Sequence, residues 1–216
     1  SSTGMSNCCN FKAPVGYFIS NPGSSTPGTA CARGRFSATV GAITCANCTS
    51  GTFASATGTS ACTACLVGKY IELEGQDACK PIPPGYYNPG TGATQAKNFQ
   101  CPAGKFSEAG STACTQVPAG TFSAAGEGNF TMCAPGRFSS SSGATVCMRA
   151  RPGTYVSSRA ATIYTSVPPG YYFVKFGCVG ASGNATEIYF QCPIGTYSVG
   201  RAFSCTVCPK GKYQSA

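Results

Sequence analysis

Sixteen cysteines are the residues of this 216-residue chain whose types and spacing point most directly to chemistry. Where the first cysteine of a pair is missing, its partner is missing as well: Val117 goes with Phe130, Ala150 with Tyr164, Ile82 with Ala96 or a near neighbour, and Ala13 with Gly28. In the first two of these repeats we expect the two side chains to approach each other in place of the bond. Joint loss is typical of a covalent pair, because a single thiol cannot close a loop and is hazardous in an oxidising compartment. The pattern therefore predicts disulfides, each stabilising its loop by about 3 kcal/mol. The predicted pairs, which share a nearly constant spacing, are Cys31–Cys45, Cys48–Cys62, Cys65–Cys79, Cys101–Cys114, Cys133–Cys147 and Cys192–Cys205.

The segment from Cys45 to Cys65 also fits a second chemistry, a zinc site. It begins with one C-x-x-C pair and ends with another, an arrangement that resembles tetrahedral zinc ligands. Zinc would couple four cysteines, so whole quartets should disappear together. Single pairs disappear instead, and the pairs that begin at Cys101 and Cys133 have no second C-x-x-C. We therefore favour structural disulfides and predict no metal site and no cofactor.

Four cysteines have no partner at this spacing. Cys208 opens a repeat whose second cysteine position would lie after Ala216, so we expect the chain as given to end inside a repeat. Cys8 and Cys9 lie near the expected end of a preceding repeat, and Cys178 has no partner in phase. An odd cysteine in a secreted chain is a candidate for an intermolecular bond. These four are the predicted unpaired or intermolecular thiols.

The remaining side chains exclude most enzyme chemistry. The chain has no histidine and only six acidic residues, of which Asp77 is the single aspartate. Without histidine no Ser-His or Cys-His couple can form, and few carboxylates remain for general acid and base catalysis. The net charge of +9 arises from scarce acids rather than from dense basic runs. The sequence therefore predicts neither an enzyme nor a nucleic-acid partner.

An internal repeat supplies the elements that must position the cysteines. A motif of the form C-x-x-G-x-[FY], in which other residues can replace the cysteine, aligns twelve times, and every copy has the aromatic. Successive starts are nearly evenly spaced, except that the tenth repeat, from Val167 to Gln191, is enlarged. A second glycine follows in every complete repeat except the ninth, where Ala160 stands. The repeats begin at residues 13, 31, 48, 65, 82, 101, 117, 133, 150, 167, 192 and 208.

Each repeat is interpreted as a turn, a short strand and a reversal. Proline fixes φ before the first glycine, which supplies a positive φ, and the second glycine returns the chain. A single repeat is too short to bury a core alone. The repeats must therefore stack, with the aromatic of each repeat packed against those of its neighbours. The predicted fold class is small, disulfide-rich, loop-rich and β-poor: an elongated solenoid-like rod of about twelve repeats.

The predicted organisation follows the repeat starts. Residues 1–12 end a preceding repeat or form a linker, and residues 13–166 hold nine tandem repeats. Residues 167–191 form an enlarged, irregular repeat. Residues 192–216 hold one regular repeat and one truncated repeat. No stretch approaches 18 apolar residues, so no membrane-spanning segment is predicted within this sequence.

Two stretches carry a resemblance to known repeats: CPAGKFSEAGSTACTQVPAGTFS from Cys101 and CPIGTYSVGRAFSCTVCPKGKY from Cys192. They resemble the tandem cysteine-rich repeats of the ephrin-receptor-like family, and they are similar to the first loop of tumour-necrosis-factor-receptor cysteine-rich modules. The resemblance implies secreted or surface-exposed rods, such as the hair-like flagellar (mastigoneme-like) appendages of protists and algae. It brings no catalytic or ligand-binding residue to this chain, and five of the twelve repeats lack their own cysteine pair.

Two further features predict what the surface carries. Sequons at Asn47, Asn129 and Asn184 favour glycosylation in the secretory pathway and an extracellular or cell-surface location. Asn184 is the strongest candidate, because it lies in a small polar run, whereas the sequon of Asn47 runs through Cys48. The basic residues Arg35, Lys69, Lys105, Arg137 and Lys212 share the position between the first glycine and the aromatic. They indicate either a binder of acidic glycans or a solvated row that aids solubility.

The enlarged tenth repeat predicts a contact surface. It contains more apolar side chains than so short a repeat can bury, and exposed apolar clusters usually mark interfaces. We expect this segment to dock on another copy of the chain and propagate a polymer; the alternative is a bulge that folds back on its own repeat. The candidates are Tyr171, Tyr172, Phe173, Val174, Phe176, Ile188, Tyr189 and Phe190.

Together these features favour a structural extracellular glycoprotein that self-assembles into a filament, surface hair or wall. The alternative is a receptor or adhesion ectodomain that binds a protein ligand. The near absence of acids and the uniform repeats favour the first, because receptor modules usually carry irregular loops and charged contact residues. A binder of acidic glycans is the third hypothesis.

Overall fold

The computed structural model of the protein describes residues 12–21, 28–173 and 189–212. This part of the chain folds into very short strands joined by turns, and it contains no helix. The strands are β1 (Tyr17–Phe18), β2 (Thr29–Ala30), β3 (Arg35–Phe36), β4 (Ala46–Asn47), β5 (Thr52–Phe53), β6 (Thr63–Ala64), β7 (Lys69–Tyr70), β8 (Lys80–Pro81), β9 (Tyr86–Tyr87), β10 (Phe99–Gln100), β11 (Lys105–Phe106), β12 (Thr115–Gln116), β13 (Thr121–Phe122), β14 (Thr131–Met132), β15 (Arg137–Phe138), β16 (Met148–Arg149), β17 (Thr154–Tyr155), β18 (Thr165–Ser166), β19 (Tyr171–Phe173), β20 (Tyr189–Gln191), β21 (Thr196–Tyr197) and β22 (Thr206–Val207).

Each odd-numbered strand pairs with the strand that follows it to form a two-stranded antiparallel hairpin, one in each of the first eleven repeats. The seventh repeat shows how the local sequence builds one. The N–H of Thr121 donates to the carbonyl of Pro118 at 3.2 Å, and Gly120 between them has a φ of 82°. A positive φ at the third residue of a turn is the type II geometry that glycine adopts most readily. The predicted fold class, small, disulfide-rich, β-poor and repetitive, is confirmed.

Contacts group the chain into two compact units. The first comprises Ser1–Gln100 and Ser107–Cys114, and the second comprises Cys101–Phe106 and Thr115–Ala216. Within the first unit, backbone hydrogen bonds link consecutive repeats at two places. The N–H of the first glycine in one repeat donates to the carbonyl of the residue after the aromatic of the next repeat, as from Gly34 to Ala54 at 2.9 Å. The second glycine of one repeat donates to the first residue of the repeat before it, as Gly58 does to Cys31 at 2.8 Å.

The second unit uses the same two links. Gly120 donates to Ser139 at 2.8 Å, and Gly143 donates to Val117 at 2.8 Å. Two other residues take the position of the second glycine. Ala160 donates to Cys133 at 2.9 Å and Arg201 donates to Val167 at 3.2 Å, and both have a φ of 54°. The spacing of the glycines identified Ala160 as the residue at the second-glycine position of the ninth repeat. It did not identify Arg201 in the eleventh repeat, because Gly200, one residue earlier, fits the expected spacing of the second glycine.

In seven repeats the first glycine is fixed by a close approach between alternate repeats: Gly16, Gly34, Gly51, Gly68, Gly104, Gly120 and Gly153. A Cβ built on Gly34, which has a φ of +76°, would overlap the carbonyl oxygen of Gly75, two repeats further on. The two backbone segments cannot move apart without breaking the hydrogen bonds that link consecutive repeats. Alternate repeats are therefore in direct backbone contact, and glycine is required there for space as well as for conformation.

The core differs from the predicted spine of stacked aromatics. Its main contributors are the first residue of each of the first eleven repeats and the residue after most repeat aromatics, as Val117 (0% exposed) and Ser123 (2% exposed) show in the seventh repeat. The repeat aromatics are mostly half-buried, although Phe138 is buried. Because alternate repeats approach so closely, the space between them admits small side chains. The Oγ of Ser123 donates to the carbonyl of Lys105 at 3.0 Å, so this buried hydroxyl also joins two repeats.

Candidate functional site

The bonded cysteines form the most regular chemical feature of the structure. Five pairs have Cα–Cα separations of 5.7 to 5.8 Å: Cys31–Cys45, Cys48–Cys62, Cys65–Cys79, Cys133–Cys147 and Cys192–Cys205. Cys101 and Cys114 are also disulfide-bonded. These separations lie near the most common value for disulfides. The described residues contain no group of three or more histidine, cysteine or acidic side chains that could hold a metal ion.

Each bridge joins the buried start of a repeat to the entry of its second strand. Cys48 is fully buried, and Cys62 is half-buried directly before β6. The second cysteine therefore lies three residues before the start of the next repeat. This rule gives the equivalent position in every repeat that lacks a bridge, whatever its length.

In three repeats of the second unit that lack a bridge, an aromatic residue takes the position of the second cysteine. They are Phe130 in the seventh repeat, Tyr164 in the ninth and Tyr189 in the tenth. Each ring lies against the aromatic of the preceding repeat, with centroid separations of 5.3 to 5.4 Å. The ring pairs are Phe106–Phe130, Phe138–Tyr164 and Tyr155–Tyr189.

The Phe130 ring has a partner that the sequence argument, which expected it to approach Val117, did not name. Val117 is fully buried at the start of its repeat, while the Phe130 ring packs edge-to-face on Phe106 of the repeat before. In the ninth repeat, Tyr164 packs against the cluster of Ala150, Phe138 and Val156. The replacing aromatic thus packs on the preceding repeat, and in the ninth and tenth repeats it also packs on residues of its own repeat.

Two further repeats without bridges have small or polar residues at the second position. Gly28 takes it in the first repeat, as the sequence suggested. In the fifth repeat it is Asn98, a near neighbour of Ala96, the position that counting forward from Ile82 gives. The two counts differ because this repeat has extra residues in its loop, and counting back three residues from Cys101 gives Asn98.

The aromatic contact in the tenth repeat perturbs a tyrosine. Partial burial and the neighbouring phenol of Tyr189 raise the pKa of Tyr155 above its ordinary value. Tyr189 also makes an edge-to-face contact with Tyr171 at 5.3 Å, and all three rings pack around buried Val167. An un-ionised phenol at Tyr155 is therefore part of the packed state.

The apolar surface predicted in the tenth repeat lies partly within the described residues. Tyr171 and Tyr189 pack on Val167 of their own repeat, whereas Phe190 faces Tyr172 and is 48% exposed. Val174, Phe176, Cys178 and Ile188 lie outside the described residues, as does the side chain of Phe173.

The remaining predicted modification sites and thiols fall in different environments. Asn129 is exposed, and its Oδ1 accepts a hydrogen bond from the N–H of Phe130 at 2.8 Å. Asn47 is exposed in β4 next to buried Cys48. In the part of the chain that the structure describes, Cys208 is a free thiol of intermediate exposure. Cys8, Cys9 and Asn184 lie outside the described residues.

Among the basic residues that share one position, Arg35 and Lys69 are exposed, while Lys105 and Arg137 are half-buried. All four begin the first strand of their hairpins, in β3, β7, β11 and β15 respectively. Lys212 follows the eleventh hairpin and is exposed.

Short hairpins closed by disulfides and stacked in tandem define a cysteine-rich repeat module. Residues 51–98 match the family model described as tyrosine-protein kinase ephrin type A/B receptor-like. The resemblance to ephrin-receptor-like repeats is thereby confirmed for a stretch that spans most of the third, fourth and fifth repeats. No curated protein matches the chain.

The match defines the class of module. Ephrin-receptor-like cysteine-rich repeats are a non-catalytic type of extracellular module, and their disulfides are typical of secreted or extracellular domains. No helix within the described residues is long and apolar enough to cross a bilayer.

Proposed function

We propose that this chain is part of a structural extracellular glycoprotein that assembles into a filament, a surface hair or a wall. The observation that carries the proposal is the way consecutive repeats are linked. The recurring links are backbone hydrogen bonds, such as Gly34 to Ala54 and Gly120 to Ser139, and they need glycine at the donor but no particular side chain at the acceptor. A link of this kind accepts any number of further repeats, which suits a protein whose task is to extend.

The disulfides and aromatic contacts support the same role. Mechanical and proteolytic resistance outside the cell requires that each short repeat be held closed. A disulfide does this within a repeat, and the Phe106–Phe130 type of contact does it between repeats. Glycans at exposed Asn129 and at Asn184 would protect the surface further.

Phe190 is the described side chain best placed to join copies of the chain. It is 48% exposed on β20, next to the half-buried Tyr172. An exposed aromatic at this point gives a second copy an apolar surface on which to dock.

Electron microscopy of the chain at increasing concentration, under oxidising conditions, tests the proposal. We expect filaments whose abundance rises with concentration, and their loss in Phe190→Ser. Ile163→Ser is the matched control, because Ile163 is 73% exposed in the ninth repeat, outside the proposed contact. Single particles at all concentrations, for the native glycoprotein as well, would refute the filament and favour a receptor or adhesion ectodomain.

A further inference from the structure

The positive charge of the chain is concentrated in its second unit. Among the described residues, the first unit has six basic and four acidic side chains, a net charge of 6 − 4 = +2. The second unit has eight basic side chains and one acidic side chain, Glu127, a net charge of 8 − 1 = +7. The basic residues of the second unit are Lys105, Arg137, Arg149, Arg151, Arg159, Arg201, Lys210 and Lys212.

Two of these arginines face each other directly. Arg137 in β15 and Arg149 in β16 are register partners in the antiparallel hairpin of the eighth repeat. Residues opposite each other in such a pair have Cβ atoms about 4.5–5.5 Å apart on the same face, and like charges there destabilise the hairpin. An arginine pair at this position costs stability in the absence of an anion, so its own hairpin does not account for it.

The guanidinium of Arg137 is held in place while most of its donors are left unused. Its Nη1 donates to the carbonyl of Cys147 at 3.0 Å. A guanidinium has five N–H donors in a planar fork that matches carboxylate and sulfate oxygens. Arg149 is exposed beside it, and exposed Arg151 follows two residues later.

The sixth repeat extends this basic surface. Lys105 takes the same position in β11 that Arg137 takes in β15. The two repeats are in contact, because a Cβ on Gly104 would overlap the carbonyl of Gly143. The alternate repeats have threonine at this position, and the hydroxyl groups of Thr121 and Thr154 donate to their own turns at 2.7 Å and 2.6 Å. A basic residue therefore occupies this position in the sixth and eighth repeats, which touch, whereas the tenth repeat has Tyr171 there.

We propose that Arg137 and Arg149, with Lys105 and Arg151, form a binding surface for an acidic polysaccharide that carries sulfate or uronate groups. A polymer with repeated anionic groups fits basic positions that recur along stacked repeats, whereas a single small anion would occupy the arginine pair alone. Disulfide-bonded modules work outside the cell, where acidic polysaccharides are available partners. This inference does not depend on filament formation.

Binding of fluorescein-labelled dextran sulfate to the whole oxidised chain tests the proposal, with unlabelled neutral dextran and polygalacturonate as competitors. We expect polygalacturonate to compete and neutral dextran not to compete, and the affinity to fall as salt rises. Arg149→Gln should raise Kd by about fivefold or more, and the double variant with Arg137→Gln by about twentyfold or more. The matched control is Arg159→Gln, which removes the same charge from an exposed position of the ninth repeat.

The outcomes separate the proposal from its alternatives. Equal losses for Arg149→Gln and Arg159→Gln would overturn it, because they would show general attraction to a basic protein. Tighter binding to phosphatidylserine vesicles than to either polysaccharide, with the same variant pattern, would also overturn it in favour of a membrane surface. Selective loss in Arg149→Gln, with the disulfides intact by mass spectrometry, supports it.

Discussion

The aromatic replacement of a disulfide gives the sharpest prediction about stability. We expect Phe130→Ala to loosen the contact between the sixth and seventh repeats, because its ring is half-buried and lies 5.3 Å from the ring of Phe106, edge-to-face. Truncation of a fully buried phenylalanine costs about 3–5 kcal/mol, so half burial gives about 2 kcal/mol. The ring–ring contact itself should supply about 1 kcal/mol of this.

Native-state hydrogen exchange is the appropriate assay, because a chain of stacked repeats does not unfold as a single two-state unit. The N–H of Cys133 donates to the carbonyl of Gly120 at 2.9 Å and closes the seventh hairpin. A loss of about 2 kcal/mol lowers its protection about thirtyfold. Ile163→Ala should change the protection of its own hairpin less than about twofold, since that side chain is 73% exposed.

A double-mutant cycle with Phe106→Ala isolates the contact between the two rings. We expect a coupling free energy of about 1 kcal/mol between Phe106 and Phe130. If the two substitutions are additive, the ring contact contributes no coupling between the repeats. The whole effect of Phe130→Ala would then come from burial of its ring alone, and the aromatic would not replace the bridge as argued.

Three further changes test other parts of the fold. Gly34→Ala should cost at least about 3 kcal/mol, because its Cβ would overlap the carbonyl of Gly75. Gly41→Ala should cost about 1 kcal/mol, since the nearest atoms to its Cβ, those of Lys12, lie 3.8 Å away, and native-state hydrogen exchange compares the two variants. Ala150→Cys combined with Tyr164→Cys should form an additional bridge, with a net gain of about 1 kcal/mol after the lost ring contact, and non-reduced peptide mapping that finds two free thiols there would contradict it. Because the pKa of Tyr155 is raised in the folded state, the un-ionised phenol stabilises the fold at neutral pH and this contribution is lost as pH rises through the alkaline range. Tyr155→Phe should therefore reduce the fall in Tm above about pH 10, and an unchanged fall would contradict the assignment.

The repeat and its bonds could be predicted from the sequence because they depend on local spacing. A glycine that needs a positive φ, the aromatic two residues later and a cysteine at a fixed distance from its partner all lie within one repeat, as Gly51, Phe53 and the Cys48–Cys62 bond show. Each of these constraints acts over a few residues, so a single copy reveals it and twelve copies make it unmistakable.

The residues that join repeats were harder to predict, because their partners lie in another copy. The contact of Phe130 with Phe106 of the repeat before was not predicted, because the sequence argument considered only Val117 of its own repeat. Arg201 was passed over for Gly200, because an arginine with a φ of 54° breaks the local rule. Both cases become clear only when the backbone link to the preceding repeat is known, as in the bond from Arg201 to Val167.

The two ways of closing a repeat have different physical consequences. A disulfide restricts the unfolded state of its own loop, so it stabilises a repeat whether or not a neighbour is folded. A ring that packs on the preceding repeat contributes only when both repeats are folded, so it raises the coupling between neighbours. In the second unit, bridged repeats such as Cys133–Cys147 are interleaved with repeats closed by Phe130 and Tyr164. Covalent closure therefore fixes individual repeats there, while the aromatic contacts make neighbouring repeats open together.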